Sequence, residues 1–423
     1  MTVPKLRFKE FDGGWTKSTI QFFMDNNFIL DQMDGNHGEL YPKSEEFSAT
    51  GVPYISATDF SFGDVNFATC KRLPIERAKL FKKGIAKNGD VLFAHNATVG
   101  PVAILKTDLD FVILSTTATY YRCEATYLNN HYLKNYFESD FFVQQYFGIM
   151  SQSTRNQVPI TTQRKLNIAV PNIQEQTKIA SFLSAVDEKI SQLTQKHQLL
   201  SQYKQGMMQK LFSQQVRFKA DDGSEFGEWE KTKFLDLMVD LWDYRGKTPK
   251  KLGMDWGDGE IQSLSALNIK KGFIDFDADC HLGSEKLYKT WMNKGDLEKD
   301  DIIFTMEAPL GNVALIPDDR KYILSQRVVC FKTNKKMVDN KFIFQLILSD
   351  QFQNRIEELA TGTTAKGINQ KSMQKIEVAL PPKDEQTKIA NFLSVIEQKI
   401  EVVAQQIEQA KTWKKGLLQQ MFV

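Results

Sequence analysis

The side chains best suited to contact another molecule lie in polar loops that contain glycine. Five of these loops span residues 34–43, 95–100, 243–251, 307–312 and 360–367, and a sixth polar loop spans residues 151–157. Their Asn, Gln, Arg, Lys, Ser and Thr side chains are the types that hydrogen-bond to base edges and phosphates of nucleic acids. The loops therefore predict a binding surface rather than a reaction centre.

Candidate DNA contacts follow from residue type and loop position. In the first half of the chain they are Asn36, His37, Lys43, Lys71, Arg72, Lys82, Lys83, His95, Asn96, Thr98, Ser153, Thr154, Arg155 and Asn156. In the second half they are Tyr244, Arg245, Lys247, Thr248, Lys250, Glu307, Gln326, Arg327, Thr363, Thr364 and Lys366. Each of them could equally be a loop residue with a purely structural role.

A basic stretch strengthens this interpretation. Residues 71–87 hold seven basic side chains and one acid, whereas the whole chain has 54 basic and 52 acidic residues and a net charge of +2. An overall charge so near zero does not indicate a nucleic-acid binder, so any binding must rest on local patches. A charge run is usually a solvated face, but a smaller basic group at residues 245–251 supplies a second patch. Two patches suit a duplex that is read at two separate sites.

No catalytic or metal-binding constellation is apparent. Residues 246–248 (GKT) match the end of a phosphate-binding loop, but Leu241 occupies the position of its first glycine. The five histidines share no metal-ligand spacing, and the four cysteines contain no C-x2-C pair. The sequence EQK at 397–399 matches the tail of a nuclease motif, but it falls on a predicted helix. We expect no catalytic residue, no metal site and free thiols.

The composition is that of an ordinary globular protein, with 42% hydrophobic and 25% charged residues. It excludes wholesale disorder, and no apolar run reaches the 18 residues of a membrane span. The start of the sequence, MTVPKLRFK, lacks the apolar core of a signal peptide. We expect a cytoplasmic protein of two or three domains.

The elements that position the loops belong to a unit that is duplicated in the sequence. EQTKIASFLS at 175–184 recurs as EQTKIANFLS at 385–394, nine of ten residues being identical at an offset of 210. The same offset aligns RFK at 7–9 with RFK at 217–219. Such a period indicates a tandem duplication rather than a solenoid. Because each copy of the helix leads towards an RFK sequence, the pattern is circular and predicts that the two termini lie close together, around a pseudo-twofold axis.

After each repeated motif, apolar residues alternate at spacings of four and three. A heptad pattern of this length predicts two long helices, the first over about 174–212, that pair antiparallel as a coiled coil. The seam residues that set the spacer are Ile179, Leu183, Val186, Ile190, Leu193, Leu200, Ile389, Leu393, Ile396, Ile400, Val403 and Ile407.

The remaining sequence mixes short strands and helices. Residues 91–93 and 302–304 predict buried strands, and residues 132–147 and 341–358 predict amphipathic helices. The predicted fold is α+β, with two pseudo-twofold-related mixed α/β domains separated by the antiparallel two-helix coiled coil.

These motifs resemble those of a known family. They are the proline followed by EQTKIA at 171–180 and 381–390, the loops STRNQV at 153–158 and TTAKGI at 363–368, GKTP at 246–249, and the tryptophans Trp15 and Trp229. On these features the chain resembles the specificity subunit of Type I restriction-modification systems. The first loop departs from the usual glycine–threonine form, since it has Ser151, Gln152 and Ser153 there.

The resemblance implies four regions. Residues 1–170 would form the first target-recognition domain and residues 214–380 the second, whereas residues 171–213 and 381–423 would form conserved regions with the long helices. The chain would be a non-catalytic subunit that reads a split double-stranded DNA target, one half per domain, with the helices fixing the spacer.

The resemblance also implies partners in the bacterial cytoplasm. Two modification subunits would bring S-adenosylmethionine to methylate adenine, and restriction subunits would use ATP and Mg²⁺ to cut unmodified DNA. No cofactor would be bound by this chain.

Two other functions stay open at this point. One is an enzyme that methylates or cuts DNA without partners, and the other is a coiled-coil scaffold whose globular parts bind proteins. Duplex binding that weakens steeply with salt would favour the DNA reader over the scaffold, because counterion release requires phosphate contacts.

Overall fold

The computed structural model describes residues 3–36, 38–61, 63–151, 156–325, 327–362 and 366–423. The chain divides into two compact units. Unit 1 contains residues 1–196 and 403–423, and unit 2 contains residues 197–402. Each unit therefore combines one α/β part with a portion of both long helices.

Unit 1 and the helix that leaves it contain twelve strands and six α-helices among the described residues. In chain order they are β1 Thr16–Thr19, α1 Ile20–Asp25, β2 Ile29–Asp34, β3 Val52–Ile55, β4 Phe60–Ser61, β5 Asp64–Val65, β6 Lys71–Leu73, α2 Ile75–Ala78, β7 Ile85–Ala86, β8 Val91–Asn96, β9 Thr98–Ile104, β10 Val112–Leu114, β11 Ala118–Cys123, α3 Asn130–Phe137, α4 Asp140–Met150, α5 Ile160–Gln163, β12 Asn167–Val170 and α6 Ile173–Phe212.

The second half of the chain repeats much of this order. Its elements are β13 Glu230–Lys233, β14 Met238–Asp243, β15 Ile261–Leu264, β16 Leu282–Gly283, α7 Glu285–Trp291, β17 Ile302–Thr305, β18 Val313–Leu315, β19 Ile323–Leu324, β20 Val328–Thr333, α8 Asn340–Leu348, α9 Asp350–Leu359, α10 Gln370–Met373, β21 Glu377–Leu380 and α11 Lys383–Met421.

Each unit is built around an antiparallel four-stranded sheet of the same topology. The strand order is β2-β11-β8-β9 in unit 1 and β14-β20-β17-β18 in unit 2. A second sheet accompanies each one, β6-β3-β10-β7 or β16-β15-β19, and contains one parallel pair. The predicted strands at 91–93 and 302–304 are confirmed as parts of β8 and β17, whose side chains at these positions are fully buried.

The two predicted amphipathic helices are each broken in two. The break falls at Ser139 between α3 and α4, and at Ser349 between α8 and α9. Ser349 caps α9 by accepting a hydrogen bond from the Phe352 N–H at 3.3 Å, and both serine hydroxyls donate to a carbonyl of the preceding helix at 2.6 Å. A capping serine favours a new helix start, and the uninterrupted apolar pattern concealed it.

Two long helices are confirmed. α6 has 40 residues and α11 has 39. In unit 1, Phe182 of α6 contacts Trp413 of α11, and in unit 2, Tyr203 of α6 contacts Phe392 of α11. An early position of one helix thus meets a late position of the other, so they run antiparallel. Ten of the twelve predicted seam residues are buried, and Leu200 and Ile400 are half-buried.

Residues near the two ends of the chain bond to each other within unit 1, as the circular pattern predicted. The Leu6 N–H donates to the Gln420 carbonyl at 2.8 Å. The equivalent atoms in unit 2, at an offset of 210, are the Val216 N–H and the Lys210 carbonyl, which bond at 3.2 Å within continuous chain. Leu6 and Gln420, near the two ends of the chain, therefore meet at a junction that the polypeptide makes covalently in unit 2.

The repeated EQ sequence fastens each long helix to its unit. Glu175 is fully buried and accepts from Arg7 at 2.7 Å and from the Trp15 indole at 3.3 Å. Glu385 is bound in the same way by Arg217, at 2.7 Å, and by the Trp229 indole, at 3.0 Å. We call these two clusters the joints. Each buried carboxylate is compensated by a guanidinium and an indole N–H, which buried charges require.

Two further properties bear on function. In the described ranges of the chain, no helix combines the length and apolar character needed to cross a membrane. All four cysteines are free thiols; Cys70 and Cys330 are buried, whereas Cys123 and Cys280 are half-buried.

Candidate nucleic-acid interface

The four-stranded sheets bring the predicted contact loops to one end of each unit. In unit 1, β2 and β8 end where β9 and β11 begin, because neighbouring strands are antiparallel. In unit 2, β14 and β17 end where β18 and β20 begin. We call these two sheet ends, with the loops that cover them, edge 1 and edge 2.

At edge 1, the loop after β2 is tied to the basic stretch. The Asn36 amide is buried and donates to the Lys83 carbonyl at 2.5 Å. This bond holds the exposed Lys82 and Lys83 beside the edge. Asn36 thus positions the basic residues, and its own side chain is not at the surface, contrary to the choice made from sequence.

The loops after β8 and before α5 lock together at the same edge. The Ala97 N–H donates to the Asn156 carbonyl at 3.1 Å, and the Asn156 amide donates back to the Ala97 carbonyl at 2.9 Å. Ala97 adopts a φ of 63° to make this turn. Thr98 and Asn156 are exposed, and Asn96 is half-buried. All three are therefore at least partly accessible at edge 1.

His95 is a correction to the predicted interface. Its side chain is 5% exposed, and the ring Nδ1 lies 2.9 Å from the Thr119 hydroxyl. The His95 carbonyl accepts from the Val158 N–H at 2.8 Å. The imidazole is therefore buried beneath the loops of edge 1 and bonded to the neighbouring strand.

Part of the basic stretch is engaged within unit 1. Arg77 pairs with Glu46 at 2.5 Å, and Arg72 donates to the Gly51 carbonyl at 3.2 Å. The Lys71 ammonium lies 4.8 Å from the centroid of the Phe47 ring. Lys43 is exposed, and its backbone N–H caps a short turn by donating to Glu46. The local charge available to a ligand is therefore smaller than the sequence count.

Edge 2 carries several charged side chains among the described residues. Arg245 follows β14 and forks onto Asp243, with Nε to Oδ1 at 3.0 Å and Nη2 to Oδ2 at 2.5 Å. Arg327 precedes β20, and its Nε lies 3.4 Å from the Glu307 carboxylate. Burial would raise the pKa of Asp243, but the hydrogen bonds from Arg245 lower it, so the pair stays charged. Lys366 is exposed and pairs with Glu357 at 2.6 Å.

The remaining candidates after β14 have structural partners. Tyr244 is 2% exposed and packs in the core, another correction to the predicted interface. The Lys247 ammonium lies 4.7 Å from the Tyr244 ring centroid and donates to the Trp291 carbonyl, and partial burial lowers the pKa of Lys247. The Thr248 hydroxyl accepts from the Lys251 N–H at 3.3 Å, whereas Lys250 is exposed.

Some predicted contacts lie outside the described residues, and some residues at the edges were not predicted. His37, Ser153, Thr154, Arg155, Gln326, Thr363 and Thr364 are in the first group. Thr117 and Asp243 are in the second. The offset of 210 pairs Thr117 with Arg327, so the repeat alignment held the signal that would have found Thr117. Within the ranges that are described, no group of three His, Cys, Asp or Glu residues could hold a metal ion.

Comparison with known proteins gives a consistent result. Residues 31–202 and again 227–412 match the family described as Type I restriction modification DNA specificity domain. A Methanocaldococcus jannaschii protein assigned as the MjaX type I restriction enzyme specificity subunit is 28% identical over 345 residues, which are 78% of this chain and 76% of that protein.

Two solved structures share the fold. The S subunit of a Type I restriction-modification system from M. genitalium has a TM-score of 0.59 and 14% identity, covering 100% of this chain and 99% of that one. A second structure, from work on complex assembly and conformational transition of the type I R-M system, has a TM-score of 0.55 and 16% identity, covering 97% and 98% of the two chains. Because the two family matches together span most of the sequence, the protein belongs to the Type I restriction-modification DNA specificity family.

Proposed function

We propose that the chain reads a split double-stranded DNA target, with edge 1 contacting one half and edge 2 the other. The observation that carries this proposal is the duplication of one sheet end, furnished in both units with side chains that reach bases and phosphates. The membership in a DNA specificity family supports it. The boundaries 1–170 and 214–380 of the two recognition domains belong to this proposal, since α6 and α11 begin shortly after residues 170 and 380.

The long helices set the spacer between the two half-sequences. A helix of 40 residues, the length of α6, extends about 60 Å at 1.5 Å per residue. In readers with two half-sites, the separation of the half-sites is a geometric property of the protein. An insertion of one heptad at Gln195 and one at Gln405, both on exposed helix faces, should lengthen the spacer and leave both half-sequences unchanged.

The chain acts as a non-catalytic member of a larger enzyme. Two modification subunits carry S-adenosylmethionine and methylate adenine, and restriction subunits use ATP and Mg²⁺ to cleave unmodified DNA. This assembly functions on DNA in the bacterial cytoplasm. The support is the family, together with a sequence in which no motif for methyl transfer or phosphate binding is complete.

A genome methylation map with and without the gene tests the proposal. We expect adenine methylation at a two-part motif that disappears with the gene. An unchanged map, or a motif with a single part, would contradict the proposal. Methyl transfer by the purified chain alone would instead favour a self-sufficient methyltransferase.

Exchange of residues 1–170 for another recognition domain tests the division of labour. We expect a new sequence in one half of the motif and no change in the other half. A change in both halves would show that the two edges do not read independently. The absence of duplex binding that weakens with salt would favour a protein-binding scaffold.

A further inference from the structure

Edge 2 carries two arginines whose guanidinium groups are held differently. Arg245 uses Nε and Nη2 in a close fork with Asp243, at 3.0 and 2.5 Å. Arg327 is paired through Nε with Glu307 at 3.4 Å, and 55% of its side chain is exposed. Arg327 is therefore the arginine whose terminal nitrogens a ligand can approach with less competition from its partner.

The backbone of Arg327 is held in an uncommon conformation. Its φ is +67°, in the left-handed region that residues with a Cβ seldom adopt. The Arg327 carbonyl accepts from the Met306 N–H at 2.8 Å, and the Met306 carbonyl accepts from the Ile368 N–H at 2.9 Å. The strand ends thus maintain a strained residue, and such strain tends to mark functional positions.

Glu307 is also fixed in place. It pairs with Gly367 in an isolated β-bridge, where a Cβ on Gly367 would lie 3.1 Å from the Glu307 Cβ. The glycine therefore leaves room for the Glu307 stem. The hydrogen bonds that Arg245 donates to Asp243, assisted by the negative charges of Asp243 and Glu307, raise the pKa of Arg245. The charge of Glu307 therefore acts on both arginines.

Arg327 lies at a cleft with both polar and apolar walls. The cleft has a volume of about 550 Å³, and its lining includes Ser265 and Asn312 as well as Leu267 and Pro309. In the major groove, guanine presents two acceptors, O6 and N7, side by side. A planar guanidinium donates to both through two N–H groups in a rigid fork, whereas a lysine ammonium is a point charge on a flexible stem. At edge 1 the equivalent position is Thr117, which lacks such a group.

We propose that Arg327 determines specificity by reading a guanine in the half-site of unit 2, and that Glu307 is its positioning residue. The proposal rests on the proposed DNA-reading function and adds a base and a residue to it. Glu307 orients the fork by holding Nε, which leaves the Nη atoms directed at the base. Edge 1 reads its own half without this contact.

The test is selection of preferred duplexes from a library randomised at every target position, using the full chain in the complex purified with its partner subunits. The parent should require guanine at one position of the unit 2 half-site. Arg327→Gln should reduce the preference for that guanine by about 5- to 150-fold, the range of one bidentate contact, and leave the other half-site unchanged. Glu307→Gln should weaken the preference for the same guanine without lowering affinity for unspecific DNA, because it removes a negative charge.

Controls separate the possible results. Arg320→Gln alters another exposed arginine of unit 2, paired with Asp318 and outside edge 2, and should leave every preference unchanged. An Arg327→Gln protein that keeps its guanine preference, or loses affinity equally for all sequences, would overturn the inference while leaving the proposed function standing. A parent with no two-part preference would overturn both. An unchanged melting temperature of Arg327→Gln confirms that folding is intact.

Discussion

The sheets beneath the two edges have the same topology, but the side chains buried at equivalent positions are polar in one sheet and apolar in the other. Below edge 1, five positions form a buried polar network. Below edge 2, the equivalent positions are apolar. The pairs are Gln32 and Leu241, His95 and Met306, Thr119 and Val329, Tyr121 and Phe331, and Gln163 and Met373, as the strand registers and the repeat offset align them.

The network of unit 1 is centred on Gln163, whose side chain is fully buried. Its amide nitrogen donates to the Thr119 hydroxyl at 3.1 Å and to the Val158 carbonyl at 2.8 Å. Its oxygen accepts from Tyr121 at 2.6 Å and from Gln32 at 3.3 Å. In unit 2, Met373 is also fully buried and belongs to an apolar core cluster.

The joints differ from the sheet interiors because they are nearly identical in the two units. Arg, Trp and Glu recur with the same bonds around Glu175 and Glu385. A buried polar network is stable only when all its members are satisfied, so it must change as a set. The comparison indicates that the interior of the sheet can hold either a complete set of polar side chains or a complete set of apolar ones. The attachment of the long helices instead uses the same Arg, Trp and Glu in both units.

The largest expected effect is on a joint. Glu175→Ala removes the acceptor of Arg7 and Trp15 and should destabilise unit 1 by about 3–5 kcal/mol, the cost of breaking a buried ion pair. Glu385→Ala should cost less, because the Arg217 side chain is 24% exposed and Arg7 only 11%. Hydrogen exchange of the first turns of α6 and α11 measures both losses. Glu188→Ala, on an exposed face of α6, is the matched control, and equal losses at both joints would refute this ranking.

A smaller effect is expected when a polar side chain enters the apolar interior. Met373→Gln places an amide among Met306, Val329 and Phe331 and should cost about 2–3 kcal/mol, since a buried amide without partners loses its hydration. Urea unfolding followed through amides of β17 and β20 measures this cost. Met373→Leu conserves the volume and should cost less than about 1.5 kcal/mol. Similar costs for the two variants would contradict the apolar character of this interior.

The reverse exchange in unit 1 should cost less. Gln163→Met removes the acceptor of Tyr121 and Gln32 and the donor to the Val158 carbonyl, but Thr119 keeps its bond to His95, so we expect about 1–2 kcal/mol. Replacing the whole network by its unit 2 counterparts should recover part of this loss, because the buried polar side chains are then removed together and only the Val158 carbonyl still lacks its donor. Urea unfolding of both variants is the measurement. A five-residue variant less stable than Gln163→Met would show that the sets are not interchangeable.

Local and repeated signals made much of the fold predictable. The heptads of α6 and α11 and the apolar runs of β8 and β17 depend on neighbouring residues, and the repeated EQ sequence marked both joints. The closeness of the two ends was predictable because α6 leads into RFK at 217–219, and α11 would lead into RFK at 7–9 if the pattern continued across the chain ends.

The edges were only partly predictable because a loop position does not fix the direction of a side chain. Residue type selected His95 and Tyr244, whose side chains turn into the core. It also selected Glu307 and Arg327, but their contact is made by pairing of β17 with β20, 20 residues apart in sequence. Only the sheet register relates such residues.

A second contrast between the units concerns charge at the long helices. In unit 1, Lys134 and Lys414 each bind both Glu138 and Asp187, at 2.7–3.0 Å. In unit 2, Phe344 and Leu348 replace Lys134 and Glu138, so only the ion pair of Lys204 and Glu397 remains at the equivalent positions. Burial lowers the pKa of Lys204 to about 8. Burial would raise the pKa of Asp187, but Lys134 and Lys414 lower it below its ordinary value of 3.8.

The smallest expected effect follows from this lowered pKa. A carboxylate whose pKa is lower in the folded protein contributes stability above its unfolded pKa and loses it as the pH falls towards the folded value. The contact of α3 with α6 and α11 in unit 1 should therefore weaken as the pH falls through the ordinary pKa of 3.8 towards the lowered pKa of Asp187, whereas the equivalent contact of α8 in unit 2 has apolar residues at two of these positions. Hydrogen exchange of α3 and of α8 at several pH values compares the two units. Asp187→Asn should flatten the acid response of unit 1 alone, and an unchanged response would assign it to other carboxylates.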